Sequence, residues 1–75
     1  MRLEFTNNAQ ARMLDRRIRE DDIQAAIDSP DHLGPFMEKC WHARKQIGTR
    51  ALEVIFTRDL VQTQILTAYW QDVAP

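Results

Sequence analysis

Apolar residues recur along this 75-residue chain with two rhythms, and the change from one to the other marks its elements. Arg2 to Phe5 alternates polar and apolar, with Leu3 and Phe5 on one side, which predicts a short strand. Thr6 is then an N-cap for a first helix over about Asn7 to Arg16, in which Ala9 and Met13, four apart, face a core. A second helix over about Glu20 to Asp28 buries Ile23, Ala26 and Ile27, and Ser29-Pro30 ends it because the residue before proline avoids the α region. From Phe36 onward the period becomes two. Trp41, Ala43, Lys45 and Ile47 share one face of a strand, Gly48-Thr49 turns, and Arg50, Leu52, Val54 and Phe56 share a face of the next. After a turn around Arg58-Asp59, a last strand runs from about Gln62 to Trp70. It carries Ile65, Thr67 and Tyr69 on one side and Leu66, Ala68 and Trp70 on the other. Both sides are apolar enough to make it a central strand, and periodicity leaves open which face Tyr69 joins. The expected fold is α+β, in the order β-α-α-β-β-β, with a tight helix pair packed on an antiparallel sheet.

Composition narrows the class. With 44% hydrophobic residues, two Gly and three Pro, residues 1–75 read as a single globular domain without linker or repeat. The lone Cys40 cannot form an internal disulfide, and the N-terminal Met-Arg-Leu-Glu-Phe lacks the apolar run of a signal peptide, so a reducing cytoplasm is expected. Apolar runs of two or three residues exclude a membrane-spanning helix. The formal charge of −1 excludes nucleic-acid binding by bulk electrostatics. The charges are segregated, however: Arg12, Arg16, Arg17 and Arg19 cluster, as do Arg44, Lys45 and Arg50, while Glu20, Asp21, Asp22, Asp28 and Asp31 gather elsewhere. A basic face on a neutral protein attracts phosphates locally.

Helical spacing puts Asn8, Arg12 and Arg16 in one stripe beside Ala9 and Met13, at the seam between buried and exposed surface. Such a stripe either lines a polyanion site or covers apolar surface with Arg stems. Lys45 and Arg50 fall in register with apolar neighbours and so point toward the helix-covered face. A cation there sits at a rim or serves a purpose, because burying it unpaired costs several kcal/mol. There is no Cys-x-x-Cys, His-Glu-x-x-His or glycine-rich phosphate loop, so no metal and no cofactor is expected. His32 falls in a loop and His42 alternates away from Trp41 and Ala43, so both read as surface histidines.

Four motifs in order carry a resemblance: Phe-Thr-x-x-Ala-x-x-Arg-Met-x-x-Arg-x-Ile from Phe5, Ile-x-x-Ala-Ile-x-x-Pro from Ile23, Lys-x-Ile-Gly-x-Arg-x-Leu-x-Val from Lys45, and Ile-Leu-Thr-Ala-Tyr from Ile65. Together they span nearly the whole chain. They resemble a family of small bacterial domains of unknown function, which is in turn similar to the RelE and BrnT ribonuclease toxins of toxin–antitoxin pairs.

That resemblance implies a RelE-like fold and an RNA-acting toxin, with RNA and an antitoxin-like protein as partners. Its implied catalytic residues are Lys45, Arg50 and Tyr69, and its RNA-binding residues Asn8, Arg12 and Arg16. The family commonly has a His where this chain has Asn8, which removes a general acid or base and points to a degenerate ribonuclease. Metal-independent cleavage needs proton transfer at the 2′-OH and the leaving 5′-oxygen, and charge stabilisation of the phosphorane between them. Guanidinium forks suit the last task. A binding module without catalysis, using the same basic groove for RNA, a protein partner or a second copy of itself, is the alternative. A plain interaction protein using Trp41 and Trp70 is a third.

Overall fold

A computed structural model describes residues 2–71 and shows an α+β domain of two helices and one five-stranded mixed sheet. In chain order the elements are β1 (Arg2–Phe5), α1 (Asn7–Arg16), α2 (Glu20–Asp28), β2 (His32–Met37), β3 (Cys40–Ile47), β4 (Arg50–Arg58) and β5 (Gln62–Gln71). The strands lie in the order β1-β5-β4-β3-β2. No described helix is long and apolar enough to cross a membrane.

The sheet departs from the expected antiparallel β-α-α-β-β-β pattern in two ways. First, β1 pairs with β5 in parallel, because the chain crosses over through both helices before returning to the sheet. Second, the segment expected as a loop before Trp41 forms an edge strand, β2, paired with β3. Gly34-Pro35 disguises it in the sequence, and proline is tolerated there because an edge strand has one unpaired side. β5 is an interior strand, flanked by β1 and β4, but the middle of the sheet is β4, buried on both faces from Ala51 to Phe56.

The helices lie on one face. Thr6 begins α1 as expected: its Oγ1 accepts from the Ala9 N–H at 3.1 Å. The same hydroxyl donates to the Leu66 carbonyl at 2.8 Å, pinning the helix start to β5. Arg17, left-handed at φ 55°, closes α1, and the Ile18 N–H reaches back to the Met13 carbonyl at 2.9 Å while Ile18 enters the core. Glu20, Asp21 and Asp22 occupy the first turn of α2, where the helix dipole favours negative charge. The main contacts of α1 are with β5 and β1, and those of α2 with β4 and β3, so each helix rests on the sheet rather than forming a tight pair with the other. Ala9, Ile18, Ile23 and Ala26 meet Ala43, Leu52, Val54, Phe56, Ile65 and Ala68 in one core.

A bulge in β5 resolves the question left open by its sequence. Ile55 pairs with Thr67 but Phe56 with Ile65, so Leu66 is an extra residue. The alternation slips by one at that point. Ile65, Ala68 and Trp70 therefore face the helices, and Thr67 and Tyr69 face the opposite side.

Candidate anion-binding groove

Pairing between β1 and β5 stops at Phe5 and Ile65, and α1 then runs beside the rest of β5. Between helix and strand lies a groove of about 450 Å³ lined by Arg12, Arg16, Arg50, Thr67, Ala68, Tyr69 and Trp70. Arg12 and Arg16 come from successive turns of α1, as their four-residue spacing requires. Arg50 comes from the start of β4, immediately after the Gly48-Thr49 turn. Gly48 sits at φ 62°, the left-handed backbone that a two-residue hairpin needs and that glycine adopts without strain.

Trp70 holds the groove together. It pairs with Leu52, two residues beyond Arg50 on the same face, so the indole lies diagonally under the Arg50 side chain. The Arg50 guanidinium carbon is 4.5 Å from the ring centroid. On its other side the indole Nε1 donates to the Arg16 carbonyl at 2.9 Å. One aromatic side chain thus links the last turn of α1 to the first residue of β4.

Electrostatically the groove is one-sided. Three guanidinium groups line it and no carboxylate does. Arg16 Nε reaches Asp15 at 3.5 Å, but both side chains are well exposed and such a pair contributes little. Arg12 makes no ion pair or hydrogen bond among the described residues. Guanidiniums around a concavity, held by no more than a weak exposed ion pair at Arg16, suit an oxyanion with several acceptor oxygens, to which each offers a fork of donors. Thr67 and Tyr69, the hydroxyl-bearing residues of β5 on this stretch, also line the groove.

Two sequence-derived site residues lie elsewhere. Lys45 faces the helix side, as its register demands, but its Nζ donates to the Ser29 carbonyl at 2.9 Å and so caps the end of α2. A cation at a helix C-terminus is stabilised by the dipole, which accounts for a lysine at this rim position. It does not line the groove. Asn8 occupies the first turn of α1 and its Nδ2 approaches the Leu66 carbonyl at 3.4 Å, so it reinforces the anchorage of Thr6 at the bulge instead of reaching the groove. Arg12, Arg16, Arg50 and Tyr69 are brought together. Trp70, which sequence reasoning treated as a surface aromatic, was detectable only through the pairing register of β4 and β5. Among the described residues no group of three His, Cys, Asp or Glu side chains is placed to hold a metal ion.

Comparison with known proteins leaves the groove to speak for itself: no family model, curated protein or solved structure matches this chain.

Proposed function

We propose that this chain is an RNA-acting protein of the kind found in toxin–antitoxin pairs, resembling RelE and BrnT, whose groove holds the phosphates of single-stranded RNA. The observation that carries this reading is the convergence of Arg12, Arg16 and Arg50 on one concavity that no carboxylate lines, with Tyr69 among its lining residues. The guanidiniums bind phosphate oxygens and stabilise charge on a phosphorane, and the Tyr69 phenol is the candidate for proton transfer. An antitoxin-like protein would silence the site by laying carboxylates into the same groove.

One observation favours the reading in which binding outlives catalysis. Lys45 and Asn8 make structural hydrogen bonds away from the groove, and no imidazole lines it. Cleavage of free RNA should therefore be weak, while binding is retained.

The test is RNA affinity measured against salt, with cleavage followed in parallel in the presence of chelator. Three phosphate contacts to a single strand give a slope of about −2 in log K against log salt. Arg12→Gln combined with Arg50→Gln should reduce that slope by more than half at a nearly unchanged melting temperature. Unchanged affinity in a folded double variant would overturn the reading.

A further inference from the structure

The second face of the sheet carries an ordered polar row that the groove does not explain. Tyr69 of β5 pairs with Glu53 of β4, Glu53 with Arg44 of β3, and Arg44 with His32 of β2. These four side chains stand in register on the face opposite the helices, with His42 beside Arg44 and facing the same way. At the ordinary strand spacing the row spans about 14 Å.

Its centre is unusual for a face on which no described helix packs. Glu53 is only 5% exposed. Its Oε1 accepts from Arg44 Nε at 2.7 Å, and its Oε2 lies 3.5 Å from His42 Nδ1. A carboxylate taken out of water has a desolvation cost, so a sheet face needing only to be wet would place a threonine or glutamine here. What the carboxylate achieves is orientation: it holds the Arg44 guanidinium in place, with the His42 imidazole close beside it. The His42 ring packs near that of His32, with centroids 5.3 Å apart and planes 33° apart. Gly34, paired with His42, lies beside both rings and offers no side chain. A Cβ there would come within 3.4 Å of His42 Nε2 and 3.7 Å of His32 Nε2, so the glycine leaves those imidazole edges open.

We propose that this row is a nucleobase platform: the bases of a single-stranded RNA, unstacked, lie on Tyr69, on the Arg44 plane and on the His42–His32 pair. The inference rests on the groove's reading as an RNA site and extends it. Tyr69 lines the groove and begins the row, so a strand whose phosphates sit among Arg12, Arg16 and Arg50 passes directly onto the sheet. Sheets recognise single-stranded RNA in this manner, stacking about two or three bases on aromatic rings or Arg planes, and the row has room for that many. Arg44 is offset by Glu53, so the platform adds base contacts and little net charge.

The experiment measures the affinity of uridine oligonucleotides of increasing length, alongside ribose-phosphate chains of the same lengths without bases. Affinity should rise with length about tenfold for each base gained on the platform, and the baseless chains should show no such rise. His32→Ala with His42→Ala should flatten the rise and leave the shortest oligonucleotide's affinity unchanged. If that variant fails to fold, His32→Ala with His42→Gln and the shifts of the imidazole ring protons on RNA addition serve the same purpose. A rise shared by baseless chains, a rise unaltered in the variants, or affinity independent of length overturns the platform. Failure of the groove is a separate result: the shortest oligonucleotide then binds equally to wild type and to Arg12→Gln, whatever happens with length.

Discussion

Arg50 lies over the ring of Trp70 at 4.5 Å, and the same ring donates from its edge to the Arg16 carbonyl. Trp70→Leu removes both contacts, while Trp70→Phe keeps a ring under the guanidinium and loses the donor. An exposed cation–π contact is worth about 0.5–1 kcal/mol. RNA affinity should fall several-fold in Trp70→Leu and less in Trp70→Phe, because Arg50 and α1 lose their fixed separation. Trp70 emission should change on titration with RNA in the wild type. Unchanged affinity in Trp70→Leu would show that the groove does not depend on this link.

Asn8 tests how far the site extends along α1. It is tied to the Leu66 carbonyl and does not line the groove, so Asn8→His adds an imidazole at the helix start and not among the guanidiniums. RNA cleavage in chelator should stay as weak as in the wild type. An increase of about 10²–10⁴-fold, the contribution of a positioned acid or base, would show that the active site reaches this helix start.

Lys45 should behave as a structural residue. Lys45→Met keeps the apolar stem and removes the cap on α2, with an expected loss of about 0.3–1 kcal/mol in chemical denaturation. RNA affinity should not change. A marked loss of RNA binding with stability intact would return Lys45 to the site.

Among the described residues, Asp59 in the β4–β5 turn gives a pH-dependent prediction. Asp59 Oδ1 accepts from the Gln62 and Val61 N–H groups, both at 2.8 Å, and these bonds hold its carboxyl below the ordinary value of 3.8. Because the folded value is the lower one, the stabilisation is present above the unfolded value and is lost as pH falls from there through the folded value. Wild type should melt above Asp59→Asn at neutral pH, with the gap closing under acid. A gap independent of pH would show that the ionised carboxylate is not responsible.

Much of this was legible from local pattern. The helices, the Thr6 cap and the strands β1, β3, β4 and β5 follow from periodicity and stop signals within a few residues of one another. What escaped was non-local or irregular. Parallel pairing of β1 with β5 depends on a crossover, and no window of sequence reports it. The Leu66 bulge reverses the parity of everything after it in β5, so counting by twos assigned Ile65 and Tyr69 to one face. Strand β2 hides behind Gly34-Pro35. The candidate site divided the same way. Arg12 and Arg16 are visible as a helical stripe, and Arg50 as a charge out of pattern. Lys45 looked identical to Arg50 in register, and only its distance from the end of α2 separates their roles. Glu53 reads as an ordinary alternation residue, since nothing in the sequence shows Arg44 and His42 closing over it.

The tie between Thr6 and the Leu66 carbonyl joins residues sixty positions apart and has a consequence for order of assembly. The hairpins β2–β3, β3–β4 and β4–β5 close locally, whereas β1 and α1 are made first and have no sheet to rest on until β5 is laid down. The groove has one wall from each end of this sequence. A chain emerging from the ribosome, surrounded by RNA, therefore carries its basic helix exposed but holds no assembled site until synthesis has passed Trp70. The groove is therefore among the last features of the fold to be completed.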